Sequence, residues 1–284
     1  MTAASGPAWP QTAARSRAGI ERRNHGRWHS YRVDGTKVPG VTTITGYFKS
    51  GALAEYPGKA TREYAVNHWD ELTALGPADR LKALSEAQWA DRDAAAGRGT
   101  EVHALGAALA SGDEIAVPAP LAAHVESYLD FLDRLEPRLA APPELVVGNR
   151  TERYCGTADL LVDLGPVPYD GAILPPARWL LDVKTSRSGI FPETALQLTG
   201  YSRAEVFLGE SGDERPVEWL GIERCGALWI RRDGWDLYPV ETGDEVWEHF
   251  AYLARLYHEQ EAKKDWVGVA AGPFPDPAAA PGSS

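Results

Sequence analysis

The chain reads as a single α/β domain, a mixed sheet covered by helices. Three observations predict this. From Gly51 to about Pro137, apolar residues recur at three- and four-residue steps, the period of helices that bury one face. From Glu144 to about Tyr238, the texture changes to short apolar runs divided by turn residues, as in strands. One helical stretch interrupts those runs and another follows them, so both element types share one core.

The elements follow in order. Residues 1–18 and 266–284 are rich in Ala, Ser, Pro and Gly and are expected to be disordered tails. The domain is expected to span 19–265, with a helical part over about 51–140 and an αβ core over about 141–245. In "RWHSYRVDGTKVPGVTTIT", β-formers surround Asp34-Gly35, which predicts a hairpin. Four helical stretches come next: "TREYAVNHWDEL", "ADRLKALSEAQWADRDAAA", "GTEVHALGAALA" and "LAAHVESYLDFLDRLEP". Strands are expected at "ELVVGN", "TADLLVDL", "WLLDVKTS", "CGALWIRR" and "GWDLYPV". "FPETALQLTGYSRAEVFLG" is read as a helix with Pro192 in its first turn, and "DEVWEHFAYLARLYHEQEAKK" as the closing helix.

Composition narrows the function. The 284 residues are 44% hydrophobic and 24% charged, ordinary for a globular protein, and can bury a full core. No apolar stretch reaches membrane-spanning length, and the N-terminus lacks a signal-peptide apolar segment, so no membrane partner and a cytoplasmic location are expected. A net charge of −11 argues against non-specific coating of nucleic acid, though not against a local basic groove. The two cysteines, Cys155 and Cys225, are too few for a disulfide framework or an iron–sulfur cluster and read as small core residues. "GALAEYPGKA" is the nearest approach to a phosphate-binding loop. Its glycines are too far apart, and Ala60 follows Lys59 where Ser or Thr is needed.

Four features could carry chemistry. Asp159 lies where a Gly-containing turn is expected to feed an apolar strand. Asp182 and Lys184 are two residues apart on a strand, so they share a face while Val183 points to the other. Gln197 and Tyr201 are at i and i+4, on one face of the following helix. His103 is expected in the first turns of a helix beginning after Thr100. Two carboxylates on adjacent strands make a hard oxygen site suited to Mg²⁺ or Mn²⁺, which can activate water and stabilise charge on a phosphate. A lysine beside them can orient that water or shed a proton, which arginine cannot do. Lys184 is the only lysine between Lys82 and Lys263 in an arginine-rich chain. The set suits metal-assisted phosphodiester hydrolysis.

"GTAD", "DVK" and "QLTGY", in that order, resemble the GxxD, (D/E)xK and QxxxY motifs of RecB-type nucleases in the PD-(D/E)XK superfamily. "HSYRVDGTKVPGVTTIT" and "GRGTEVH" resemble segments of phage-encoded members. The likeness runs from about His29 to Tyr201. It implies a restriction-endonuclease-like αβα core and divalent-metal cleavage of DNA. Asp159, Asp182, the Val183 carbonyl and His103 would ligate the metal, and Lys184 would position or activate water. Gln197 and Tyr201 would support the site and the DNA strand, and Glu144 matches an acidic residue at the start of the preceding strand. A D-x-K pair by itself is common on solvated strands; the ordered set carries the reading.

The expected function is a stand-alone DNA exonuclease trimming linear duplex or single-stranded ends for recombination or repair. It is expected to be phage-encoded and to act in a bacterial host cell, with a phage single-strand annealing protein as a candidate partner. The competing readings are a structure-specific or restriction-type endonuclease on the same fold, and a catalytically inactive DNA-binding protein. His249 and His258 read as surface residues. Trp69, Trp89, Trp219, Trp229, Trp235 and Trp247 read as core or interface fillers, one or two of which could stack on a frayed base. Arg15, Arg17, Arg22, Arg23 and Arg27 read as a basic, solvated stretch.

Overall fold

Asp34 and Gly35 both take positive φ, 48° and 82°, which is what a two-residue turn between twisted strands requires. They join β2 (Trp28–Val33) to β3 (Thr36–Val38), and β1 (Ile20–His25) pairs with β2 on its other side. The computed structural model describes residues 19–26, 28–48, 51–112, 116–186 and 189–263. The side chains of 51–57, 88–100, 103, 104 and 110 lie outside that description, as do both terminal tails.

"VTTIT", expected to extend the hairpin, is instead the short helix α1 (Val41–Thr45). Its β-branched residues favour strands in isolation, but Val41 and Ile44 at i and i+3 both enter the core, and burial outweighs propensity. The helical region holds α2 (Gly51–Asn67), α3 (Trp69–Ala74), α4 (Pro77–Ala110) and α5 (Ala122–Leu135). Two stretches read as separate helices are continuous in α4. Glycines at 97 and 99 weaken a helix by about 1 kcal/mol each, which does not end it. His103 therefore lies towards the end of a long helix, not in the first turns of a new one, and its side chain lies outside the described residues.

The αβ part contains β4 (Arg138–Leu139), β5 (Leu145–Asn149), β6 (Tyr154–Ala158), β7 (Leu160–Leu164), β8 (Val167–Tyr169), β9 (Ala172–Leu174) and β10 (Ala177–Lys184). Then come α6 (Glu193–Ser202), β11 (Val206–Leu208), β12 (Glu214–Pro216), β13 (Arg224–Arg231), β14 (Gly234–Val240) and α7 (Asp244–Ala262). The helix expected through Gly209 ends at Ser202, and "VFL" turns back to pair with β5. Pro192 caps α6 from just outside it.

Five strands form a mixed sheet in the order β14-β13-β10-β7-β4, with β10 and β13 parallel and the remaining pairs antiparallel. A second, antiparallel sheet runs β12-β11-β5-β6. The arrangement is mixed α/β, with helices on both faces of the mixed sheet. Period-2 alternation along β10 sorts its side chains. Trp179, Leu181 and Val183 join Tyr128 and Phe131 of α5, while Leu180 joins Leu196 and Leu198 of α6 and Phe250 of α7. No described helix is long and apolar enough to cross a membrane.

Candidate functional site

"TADLLVDL" is not one strand. The chain leaves β6 at Ala158, bends at Asp159 and enters the mixed sheet as β7. The Gly-containing turn expected before Asp159 is absent: Gly156 lies inside β6. Its role is steric. A Cβ on Gly156 would sit 2.5 Å from Tyr201 Cε1 and 2.8 Å from Val41 Cγ2, so only glycine lets α6 and α1 settle onto β6. The next residue, Thr157, bonds the Tyr31 hydroxyl at 2.7 Å and ties the N-terminal sheet to the same segment.

The antiparallel register of β10 against β7 ends at Leu181 opposite Leu160. Asp159 and Asp182 are the next residues on either side. The Val183 amide, one step further, donates to Asp159 Oδ2 at 2.7 Å. The two sequence-predicted acidic residues are thus neighbours at the end of the β7–β10 ladder.

Asp182 is 1% exposed, and a buried carboxylate needs charged or hydrogen-bonded partners. Lys184 Nζ stands 2.6 Å from its Oδ2, with the lysine side chain 27% exposed. Gln197 Nε2 donates to Asp182 Oδ1 at 2.6 Å and to the Tyr201 hydroxyl at 3.0 Å. Gln197 Oε1 accepts from Lys184 at 2.9 Å. This orientation of the amide is dictated by its neighbours, since the flipped form would set a carbonyl against the carboxylate and an NH₂ against the ammonium.

Burial opposes the charge on Lys184, but Asp182, then Asp159 and Glu193, outweigh it and raise its pKa above the ordinary lysine value. Lys184 is therefore a cation in this state and not a base. Burial, reinforced by Asp182 and Asp159, raises the Tyr201 phenol well above its usual range and keeps it neutral. Burial and then Asp159 do the same to Tyr128 of α5.

Two residues near this cluster carry weak or no sequence signals. Glu193 lies one turn before Gln197 and acts electrostatically on Lys184; the i, i+4, i+8 series Glu193, Gln197, Tyr201 was its only sign. Glu144, beside Asp159 through its backbone (Glu144 N–H to Asp159 C=O, 3.0 Å), bonds Arg22 at 2.9 Å. Arg22 is consequently part of a long-range ion pair and not of a solvated stretch, while Arg23 pairs locally with Glu21; Arg15, Arg17 and Arg27 lie outside the described residues.

Lys184 is in parallel register with Trp229 of β13. Trp229 Nε1 donates to the Ser186 carbonyl at 2.7 Å, and the Arg231 guanidinium lies 4.2 Å from its ring centroid. Far from this face, His258 is half-buried and its Nε2 meets the Glu152 and Arg153 carbonyls at 3.2 and 3.1 Å, a structural contact in place of the expected surface position. Cys155 and Cys225 are buried free thiols, in keeping with core residues.

No family model and no curated protein matches the chain. Among solved structures it is similar to one described as "Crystal structure of SSO0001", with 15% identity over 78% of this chain and 74% of that one and a TM-score of 0.30. So loose a likeness carries no argument.

Among the described residues, no three carboxylate, imidazole or thiolate side chains gather as a metal cluster. What the site offers is a pair of hard carboxylates with a backbone segment between them. Mg²⁺ is commonly bound through one or two carboxylates and completed by waters and substrate phosphates. The donor set is chemically suited to such an ion.

Proposed function

We propose that the protein is a divalent-metal-dependent DNA exonuclease of the PD-(D/E)XK type. In this reading it is built on a restriction-endonuclease-like αβα core and hydrolyses phosphodiester bonds at DNA ends. One observation carries the reading: Asp159 and Asp182 meet at the end of one strand ladder, with the Lys184 ammonium 2.6 Å from Asp182. Three sequence motifs that are far apart in the chain converge on this point, and Gln197 and Tyr201 bond in series behind it.

Asp159, Asp182 and the Val183 carbonyl would hold Mg²⁺ or Mn²⁺. The ion would lower the pKa of a bound water and stabilise charge on the phosphate. The chain's own residues do the rest. Lys184 supplies a fixed positive charge where an anionic phosphate must approach two carboxylates. Gln197 locks the rotamers of Asp182 and Lys184 together, and Tyr201, uncharged, holds Gln197. Trp229, one strand from Lys184, with Arg231 over its ring and held there by Asp233 and Asp236, offers an aromatic surface of the kind on which bases of single-stranded ends stack. End trimming in recombination or repair is the setting we favour, in a phage-infected bacterial cell.

End-labelled linear DNA, 5′ against 3′, incubated beside nicked and closed circles with Mg²⁺ or Mn²⁺, tests the proposal. Progressive loss from one end is expected, absent in EDTA and in Asp182→Ala. Cutting of the closed circle would reassign the protein to an endonuclease on the same fold. Full activity in EDTA would reject the mechanism.

A further inference from the structure

Tyr128 is 2% exposed, and its hydroxyl has no hydrogen-bond partner among the described residues. Buried polar groups are nearly always satisfied, so an orphaned hydroxyl calls for an occupant that the protein atoms do not supply. The ring itself is firmly placed. It lies so close to α4 that a Cβ on Gly106 would be 2.9 Å from Tyr128 Cε2 and 3.0 Å from Cζ, and Phe131 meets it edge-on with centroids 5.8 Å apart. A phenylalanine would fill the same space without burying an unmet donor.

Beside Tyr128 lies a cavity of about 10 Å³, lined also by Gly106, Ala107, Glu144, Asp159, Leu160 and Val183. That is the minimum that admits one water, in mostly apolar walls whose polar side chains are Tyr128, Asp159 and Glu144. The cavity opens on the side of Asp159 next to α4 and α5, whereas Lys184 and Gln197 engage Asp182 from the α6 side.

We propose that the Tyr128 hydroxyl donates to a single water held in this cavity, that the water donates in turn to the Asp159 carboxylate, and that Tyr128 is thereby a positioning residue of the site. The bridge adds a second hold on Asp159 to the one the Val183 amide supplies. Its meaning for catalysis rests on the nuclease reading above; the bridge itself does not.

The test has two arms. A high-resolution crystal structure of the full chain in EDTA should show one water within about 2.8 Å of Tyr128 Oη and within hydrogen-bond reach of Asp159. An empty cavity, or a Tyr128 hydroxyl bonded directly to protein, overturns the proposal whether or not the protein cuts DNA. In the second arm, calorimetry with Mn²⁺ compares the wild type with Tyr128→Phe. Loss of a group that orients a metal ligand should weaken Mn²⁺ binding about tenfold, with a cooperative thermal transition showing that the variant is folded. Unchanged Mn²⁺ affinity in Tyr128→Phe refutes the positioning role. A wild type that holds the water yet neither binds Mn²⁺ nor cleaves DNA retains the bridge and removes the nuclease reading instead.

Discussion

The Asp159 carboxylate accepts the Val183 amide proton at 2.7 Å. In a longer sheet that amide would meet a backbone carbonyl of the neighbouring strand. Here the β7–β10 ladder stops at Leu160–Leu181, and a side chain from the bend before β7 replaces the missing acceptor. The same bend turns the chain out of one sheet and into the other. The candidate site is thus a consequence of where two sheets part company, with Asp159 held by a backbone amide and Asp182 by the Lys184 and Gln197 side chains.

Lys184 neutralises a carboxylate that water cannot reach. Lys184→Met should therefore destabilise the metal-free protein, by about 2–3 kcal/mol once partial exposure of the lysine is allowed for. Mn²⁺ should then raise the thermal midpoint of Lys184→Met more than that of the wild type, because a cation bound only by the folded state stabilises it. Thermal unfolding with and without Mn²⁺ reads both effects. Equal midpoints in EDTA would mean that Asp182 does not depend on this lysine.

Gln197 contributes both amide protons and its carbonyl oxygen to the cluster. Gln197→Glu keeps the shape but sets a second carboxylate 2.6 Å from where Asp182 Oδ1 now accepts a proton. Two carboxylates so close cannot both ionise, and one pKa of the pair must rise strongly. With a folded-state pKa above the unfolded value, this variant should lose stability as pH climbs from about 4 and regain it on acidification. Circular dichroism melts of both proteins between pH 4 and 8 decide it. A stability difference that does not vary over that range would exclude a shared proton.

Much of this was legible in the residues, and what was hidden has physical causes. β10 follows from its apolar run, the hairpin from the β-formers around Asp34-Gly35, and the closing helix from its helical period, because each of these patterns is local. "VTTIT" looked like a strand and is a helix, since Val41 and Ile44 gain more by entering the core than β-branching costs. Asp159 read as the start of a strand, whereas the two runs on either side of it belong to different sheets, and a linear pattern holds no mark of that division. Gly156 belongs to a motif visible in the sequence, but its reason, the Tyr201 ring lying where a Cβ would be, depends on a contact 45 positions away in the chain. Tyr128 resembled any aromatic on a helix face, and only the cavity beside its hydroxyl distinguishes it.

The two thiols should be silent in the native protein. Burial, aided by the Glu214 charge, pushes the Cys155 pKa up to about 12, and burial also raises that of Cys225. The folded state thus holds these protons more tightly than the unfolded chain. Their contribution to stability is intact below about pH 8.5 and declines as the pH rises above it, where unfolded thiols ionise. A chromogenic disulfide reagent at pH 8 should find no rapidly reacting thiol in the native protein and both in guanidinium. Rapid release from the folded protein would place a cysteine at the surface and contradict the packing.

Trp229 separates a structural from a binding role for the surface beside Lys184. Its indole N–H is fixed to the Ser186 carbonyl and Arg231 lies over its ring, so the pair is already ordered before any ligand arrives. If bases of a single-stranded end stack there, Trp229→Ala should weaken binding of a short labelled oligonucleotide by about 1–3 kcal/mol. Trp229→Phe, which keeps a π-face, should retain most of the affinity. Fluorescence anisotropy in EDTA measures binding without cleavage, and it should be paired with a melt, because the Ala variant also loses the Ser186 bond. A variant that melts earlier but binds DNA as the wild type does would assign Trp229 to packing and direct the search for the base-stacking surface elsewhere.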